Sequence, residues 1–167
     1  MVSRKIRTIP IKSEVSPLLP LRRTIPQVNR GEIKIHANPV QIVKADLARI
    51  GEAWSRYQST SSRNAVYMYL TAVYKVVSNW RRNDRLHEFC ALALSLQAFD
   101  IDMEPEPFAI LIYCTADPAK VDKKTRSKWS RVLRVAEERK KRNETLKEFV
   151  KWQGGINNCA ALFSRIR

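Results

Sequence analysis

Residues 65–80 read AVYMYLTAVYKVVSNW. Val66, Leu70, Val73, Val77 and Trp80 recur at steps of four and three, the repeat that brings side chains to one face of an α-helix. Tyr67, Tyr69 and Tyr74 flank that stripe. So much apolar surface on one helix predicts a central, mostly covered element over roughly residues 62–82.

The same repeat continues on both sides. Upstream, Val43, Leu47, Ile50, Trp54 and Tyr57 follow Asn38, a capping residue, and Pro39, suited to a first helical position, so a helix is expected over about 40–58. The run Ser59–Arg63 separates the two. Downstream, Leu86, Phe89, Cys90, Ala93, Leu94 and Leu96 give a third helix, and short links between consecutive helices favour antiparallel packing. After Pro107 the run FAILIYC is too short for periodicity to separate a buried strand from a helix; helix is preferred because no other segment offers a partner strand. Asp117 and Pro118 signal another start, and helices are expected over about 121–141, 144–152 and 156–166. The expected fold is all-α: a helical bundle with a basic carboxyl-terminal helical region and an extended, proline-rich, basic amino-terminal arm.

Charge divides the 167 residues into regions. Residues 1–30 hold seven cations, one acid and four prolines (Pro10, Pro17, Pro20, Pro26), which argues for an extended arm over residues 1–37. A mitochondrial presequence is also Arg-rich, but it needs the amphipathic helix that these prolines forbid. Residues 38–98 form the expected three-helix core. Residues 99–117, an acidic linker and a short apolar segment, carry five acids and no cation. Residues 118–167 carry fifteen cations against five acids, a basic region expected to pack with the core as one unit.

Several chemistries find no support. Four glycines, two of them isolated, leave no phosphate-binding loop of the GxxxxGK[ST] or GxGxxG kind. Neither HExxH nor GxSxG occurs, and two histidines supply few general bases near neutral pH, so no catalytic residue is assigned. His87 and Cys90 lie three apart, but His36, Cys114 and Cys159 do not complete a zinc-ligand spacing, and the DIDMEPEP stretch lacks the glycine and terminal acid of a calcium loop. No metal and no cofactor is expected. The odd number of cysteines, three in apolar segments, fits reduced core thiols, and no apolar run approaches the roughly 20 residues that cross a bilayer. A cytoplasmic or nucleoid-associated protein with no membrane role is the expectation.

On a helix of about 100° per residue, Lys123, Arg134, Arg131, Lys124, Lys128 and Arg139 share an arc of about 160°. Trp129, Val132, Leu133 and Ala136 fall on another, about 100° wide, so the helix is expected to dock by one face and present its charges by the other. A solvated basic face explains the arc equally well when it is considered alone, and Glu138 lies within it. The tract continues as Arg139, Lys140, Lys141 and Arg142, and the arm adds to it. Such a surplus suits a phosphate polymer, because each neutralised phosphate releases condensed counterions.

The closing stretch ETLKEFVKWQGGINNCAALFSRIR places Leu146, Phe149 and Val150 inward on one helix and Ile156, Ala160 and Phe163 on a second, with Gly154 and Gly155 between. This pattern resembles a helix-turn-helix, in which glycine makes the turn and a small residue permits close crossing; an ordinary αα-hairpin has the same spacing. GGINNCAALF also looks like the first helix of Fis-type DNA-binding hairpins, although the four residues after it are too few for the recognition helix of that family. Trp54, Trp80 and Trp129 follow core registers; Trp152 is the tryptophan with most reason to be partly exposed, with hairpin packing as its expected use.

The sequence therefore points to a non-enzymatic nucleic-acid-binding protein, a DNA-binding regulator or accessory factor ahead of an RNA-binding ribonucleoprotein component. An adaptor or inhibitor that sets its cations on an acidic protein surface is the other reading. The residues assigned to the interface are Lys123, Lys124, Arg126, Lys128, Arg131, Arg134, Arg139, Lys140, Lys141 and Arg142 on and after the basic helix. Lys151, Asn157, Asn158 and Arg165 join them from the hairpin, and Arg4, Lys5, Arg7, Arg22 and Arg23 from the arm. A protein partner that orders the arm is also expected.

Overall fold

Asn38 opens the first helix: its Oδ1 accepts a hydrogen bond from the Val40 amide at 3.0 Å, and Pro39 occupies a first-turn position that needs no donor. The computed structural model describes residues 38–62, 64–97 and 106–165. Among them the chain is all-helical: α1 (Pro39–Ser59), α2 (Ala65–Arg82), α3 (Leu86–Leu96), α4 (Pro107–Thr115), α5 (Lys123–Arg139), α6 (Leu146–Trp152), α7 (Ile156–Ala161) and a closing 3-10 turn, η1 (Leu162–Arg165).

α2 is the central element. Its apolar face, with Leu70, Val73, Val77 and Trp80 all without solvent exposure, packs against α1, α3, α4, α5 and α6. Val66 of the expected stripe is only half-buried, and Tyr69 and Val76 are buried in addition. Four aromatic rings join three helices: Trp54 of α1 lies 5.2 Å from Tyr69 of α2 and 6.4 Å from Trp129 of α5, and Tyr57 lies 6.0 Å from Trp129. Such tilted and edge-to-face pairs match the positive ring edge of one partner to the negative face of the other. The Tyr69 hydroxyl bonds with Thr115 Oγ1 of α4 at 2.9 Å, and burial pushes its pKa above the ordinary tyrosine value. Asp46 of α1, buried, accepts a 2.7 Å bond from Trp80 Nε1 and pairs with Arg49, so its carboxylate is met on both oxygens.

The ambiguous FAILIYC run is helical. Glu106, the last acid of the DIDMEPEP stretch, caps it by accepting from the amides of Phe108 (3.2 Å) and Ala109 (3.0 Å), and Pro107 begins the helix. Asp100, Asp102 and Glu104 lie outside the described residues. Burial raises the Glu106 pKa, against those two amide bonds and the nearby charge of Arg134.

Three boundaries differ from the sequence reading. Asp117 does not start a helix: its side chain accepts from the Ala119 amide at 2.9 Å in a turn, and Asp122 caps α5 instead through Thr125 N at 2.8 Å. The next helix starts at Leu146, because Thr145 and Glu148 form a capping box, whereas Glu144 accepts from the Lys141 amide before it. The final helix tightens into the 3-10 turn after Ala161.

Candidate nucleic-acid interface

α5 is seventeen residues long, about 25 Å from end to end. The expected apolar residues Trp129, Val132, Leu133 and Ala136 are all buried, and so is Val135, which has no exposure. Val135 sits at about 120° on the helical wheel, inside the expected cation arc, between Lys124 and Lys128. α7 and η1 pack along α5. The six cations therefore do not form one open face. Lys123, Lys124 and Arg139 are exposed, whereas Lys128, Arg131 and Arg134 are half-buried.

The half-buried arginines have partners within the fold. Arg134 lies over the Phe163 ring of η1, 5.7 Å from its centroid. Arg131 Nε donates to the Ser127 carbonyl at 3.3 Å. Arg126 lies over the Tyr113 ring of α4 at 5.4 Å; its Nε is buried and finds no hydrogen-bond partner among the described residues. Together with Lys123, Ser127 and Ser130, Arg126 and Tyr113 line a groove of about 420 Å³ between α4 and α5. Lys140 is committed to the following loop: its Nζ donates to the carbonyls of Lys141 (2.9 Å) and Glu144 (3.0 Å) and lies 5.5 Å from the Tyr74 ring.

Two groups of exposed cations remain at opposite ends of α5. Lys120, Lys123 and Lys124 stand at its start; Arg139, Lys141 and Arg142 stand at its end and lead into α6, where Lys147 and Lys151 are also exposed. Among the described residues, no lysine or arginine between 118 and 165 forms an ion pair within 4.0 Å. Glu137, an acid of this stretch, pairs instead with Arg81 of α2.

In the hairpin, Gly154 (φ 79°) and Gly155 (φ 95°) make the turn, and Cys159 and Ala160 of α7 are buried. Asn157, Asn158 and Arg165 are exposed, but Asn158 rests on the turn: a Cβ at Gly154 would meet its Nδ2 at 2.6 Å. α7, at six residues, is under two turns long. Trp152 is the exposed tryptophan, as its place in the sequence suggests, but at 85% exposure it does not take the hairpin packing expected of it. Arg4, Lys5, Arg7, Arg22 and Arg23 lie outside the described residues.

Lys120 and Lys147 were not among the assigned residues. Lys147 had a legible signal, four residues from Lys151 on α6 and away from Leu146, Phe149 and Val150. It lines a groove of about 650 Å³ with Arg56, Ser62, Asn64, Met68 and others where α1 ends and α2 begins.

The cysteines are free, and burial pushes their thiols up, Cys90 to about 12 and Cys114 and Cys159 to about 11. They are protonated near neutral pH and poor nucleophiles. Among the described residues no group of three or more His, Cys, Asp or Glu is placed to hold a metal, and no helix is long and apolar enough to cross a membrane. No protein-family model, no curated protein and no solved structure matches this chain.

Proposed function

We propose that this protein is a non-enzymatic nucleic-acid-binding factor that grips the phosphate backbone through the cations at the two ends of α5, with the amino-terminal arm as a further contact. The observation that carries this reading is the lack of ion pairs on the lysines and arginines of residues 118–165 among the described residues, in a stretch that also contains Asp122, Glu137, Glu138, Glu144 and Glu148. Asp122 and Glu148 act on Lys124, Lys128 and Lys147 at longer range without closing a pair, and fifteen cations outnumber five acids over residues 118–167. The surplus gains most from a partner whose charges repeat along a chain. DNA is put ahead of RNA because α6, the Gly154–Gly155 turn and α7 make a helical hairpin beside these cations, an arrangement that duplex-binding proteins use.

The test is the salt dependence of binding to a duplex of mixed sequence. Lys123, Lys124, Lys141 and Arg142, all exposed, are replaced together by alanine. The plot of log affinity against log salt should lose about 0.9 of its slope for each phosphate contact removed, and affinity at moderate salt should drop more than about tenfold. Arg134→Ala, which removes a half-buried side chain, should leave that slope intact. Competition by structured RNA of equal charge ranks the two polymers. Binding that ignores salt, or none to either polymer, overturns the proposal.

A further inference from the structure

Of the four tryptophans, Trp54, Trp80 and Trp129 are buried at 8%, 0% and 3% exposure, whereas Trp152 is 85% exposed. Leaving the largest apolar side chain in water is unfavourable unless something covers it in use. Its mounting is firm. Leu146, Phe149 and Val150 anchor α6 in the core, and the turn after Trp152 is closed by amide bonds from Gln153 to Phe149 O (3.1 Å), Gly154 to Lys151 O (3.0 Å) and Gly155 to Val150 O (2.9 Å).

The surroundings of the ring indicate what covers it. Trp152 is the single exposed large apolar side chain on its helix among the described residues; the others, Met68, Leu96 and Tyr113, belong to α2, α3 and α4. A protein contact centres on a contiguous apolar cluster. On the same helix Lys147 and Lys151 are exposed, Lys151 directly before Trp152, and no second exposed large apolar side chain accompanies them among the described residues. Glu148, one helical turn before Trp152, is occupied: its Oε2 accepts from the Thr145 amide at 2.9 Å and hydroxyl at 2.7 Å. One flat ring on a helix that also exposes Lys147 and Lys151 fits a nucleobase whose own phosphate is within reach of a lysine, and a base offers its face only when it is unpaired. We infer that Trp152 is a stacking platform for an unpaired base of single-stranded nucleic acid, with Lys151 and its neighbours taking the adjoining phosphates. The inference rests on the nucleic-acid reading above and adds to it a separate contact for unpaired bases.

The test uses the full chain with a single-stranded oligodeoxynucleotide of about ten residues, an oligoribonucleotide of the same sequence, and the corresponding duplex. With three tryptophans buried, stacking on Trp152 should quench the tryptophan emission with either single strand and not with the duplex. Trp152→Ala should abolish the quenching and lower single-strand affinity about fivefold or more, leaving duplex affinity within twofold; Trp152→Phe should lose the quenching but keep most of the single-strand affinity. Relative affinity for the two single strands assigns the sugar. If Trp152→Ala binds single strands as the parent does, or the emission does not change, the platform is refuted while salt-dependent binding would still uphold the broader proposal. No binding to any of the three ligands removes both. If Trp152→Ala abolishes self-association and leaves single-strand binding intact, the ring belongs to a protein contact and the inference falls.

Discussion

A methyl group added at three of the glycines should have three different effects. Gly51 lies within α1 with nothing within 4 Å of a built Cβ, so Gly51→Ala removes only the entropy cost of a helical glycine and should stabilise by about 0.5–1 kcal/mol. Gly155 also has open space, but at φ 95° and ψ −179° its backbone is in a region that side chains avoid, and Gly155→Ala should destabilise by about 1–3 kcal/mol. Gly154 has φ 79° and would press on Asn158, so Gly154→Ala should cost at least as much. Urea unfolding of the three variants checks both signs. At this scale the sequence was least legible. Val135 stands among cations on the wheel, and only its complete burial in the fold shows that its position is interior. For Trp152 the exposure is legible, from Lys151 before it and the glycine turn after it, but its extent is not, because only the fold shows that Leu146, Phe149 and Val150 fill the buried face without it.

Helices were legible where the apolar period runs long, with a side-chain cap in agreement at α1 and none at α2 or α3. The stripes of α1, α2 and α3 repeat over three turns or more, and their ends fall within a few residues of expectation. The run after Pro107 has no period, being apolar on all sides, and its helical state is secured by Glu106, a side chain outside the run itself. That cap also carries a pH signature. Burial raises the Glu106 pKa in the folded protein above its ordinary value of 4.5. The folded state thus holds this proton more tightly than the unfolded chain. Its contribution to stability is full below about 4.5 and is lost as pH rises through the folded-state value. Glu106→Gln removes the titration and keeps an oxygen for the helix start. The stability difference, parent minus variant, should therefore fall with rising pH across the mildly acidic range, the opposite of the trend from Glu88, Asp122 and Glu148, whose values are lowered. Chemical denaturation at a series of pH values, with both proteins side by side, measures it; a flat difference contradicts the assignment.

The molecule as a whole carries a formal charge of +15. One hydrophobic cluster runs from Val43 of α1 to Ala160 of α7, so cohesion comes from apolar packing and the charges mainly repel one another. Added salt screens that repulsion. In the absence of any polyanion, raising ionic strength from low to moderate values should increase the melting temperature by about 2–4 °C, equivalent to about 1 kcal/mol, whereas a fold held by ion pairs would move the other way. Scanning calorimetry at several salt concentrations distinguishes the two.

The distribution of ion pairs has a practical side. Arg49–Asp46, Arg56–Glu52 and Arg85–Glu88 each sit within one helix or at its start, and among the described residues Arg81–Glu137 alone ties two helices together. A concentrated sodium chloride wash should thus strip co-purifying polymer from the protein on a column while every helix stays docked, and the eluted material should bind afresh once the wash is dialysed away.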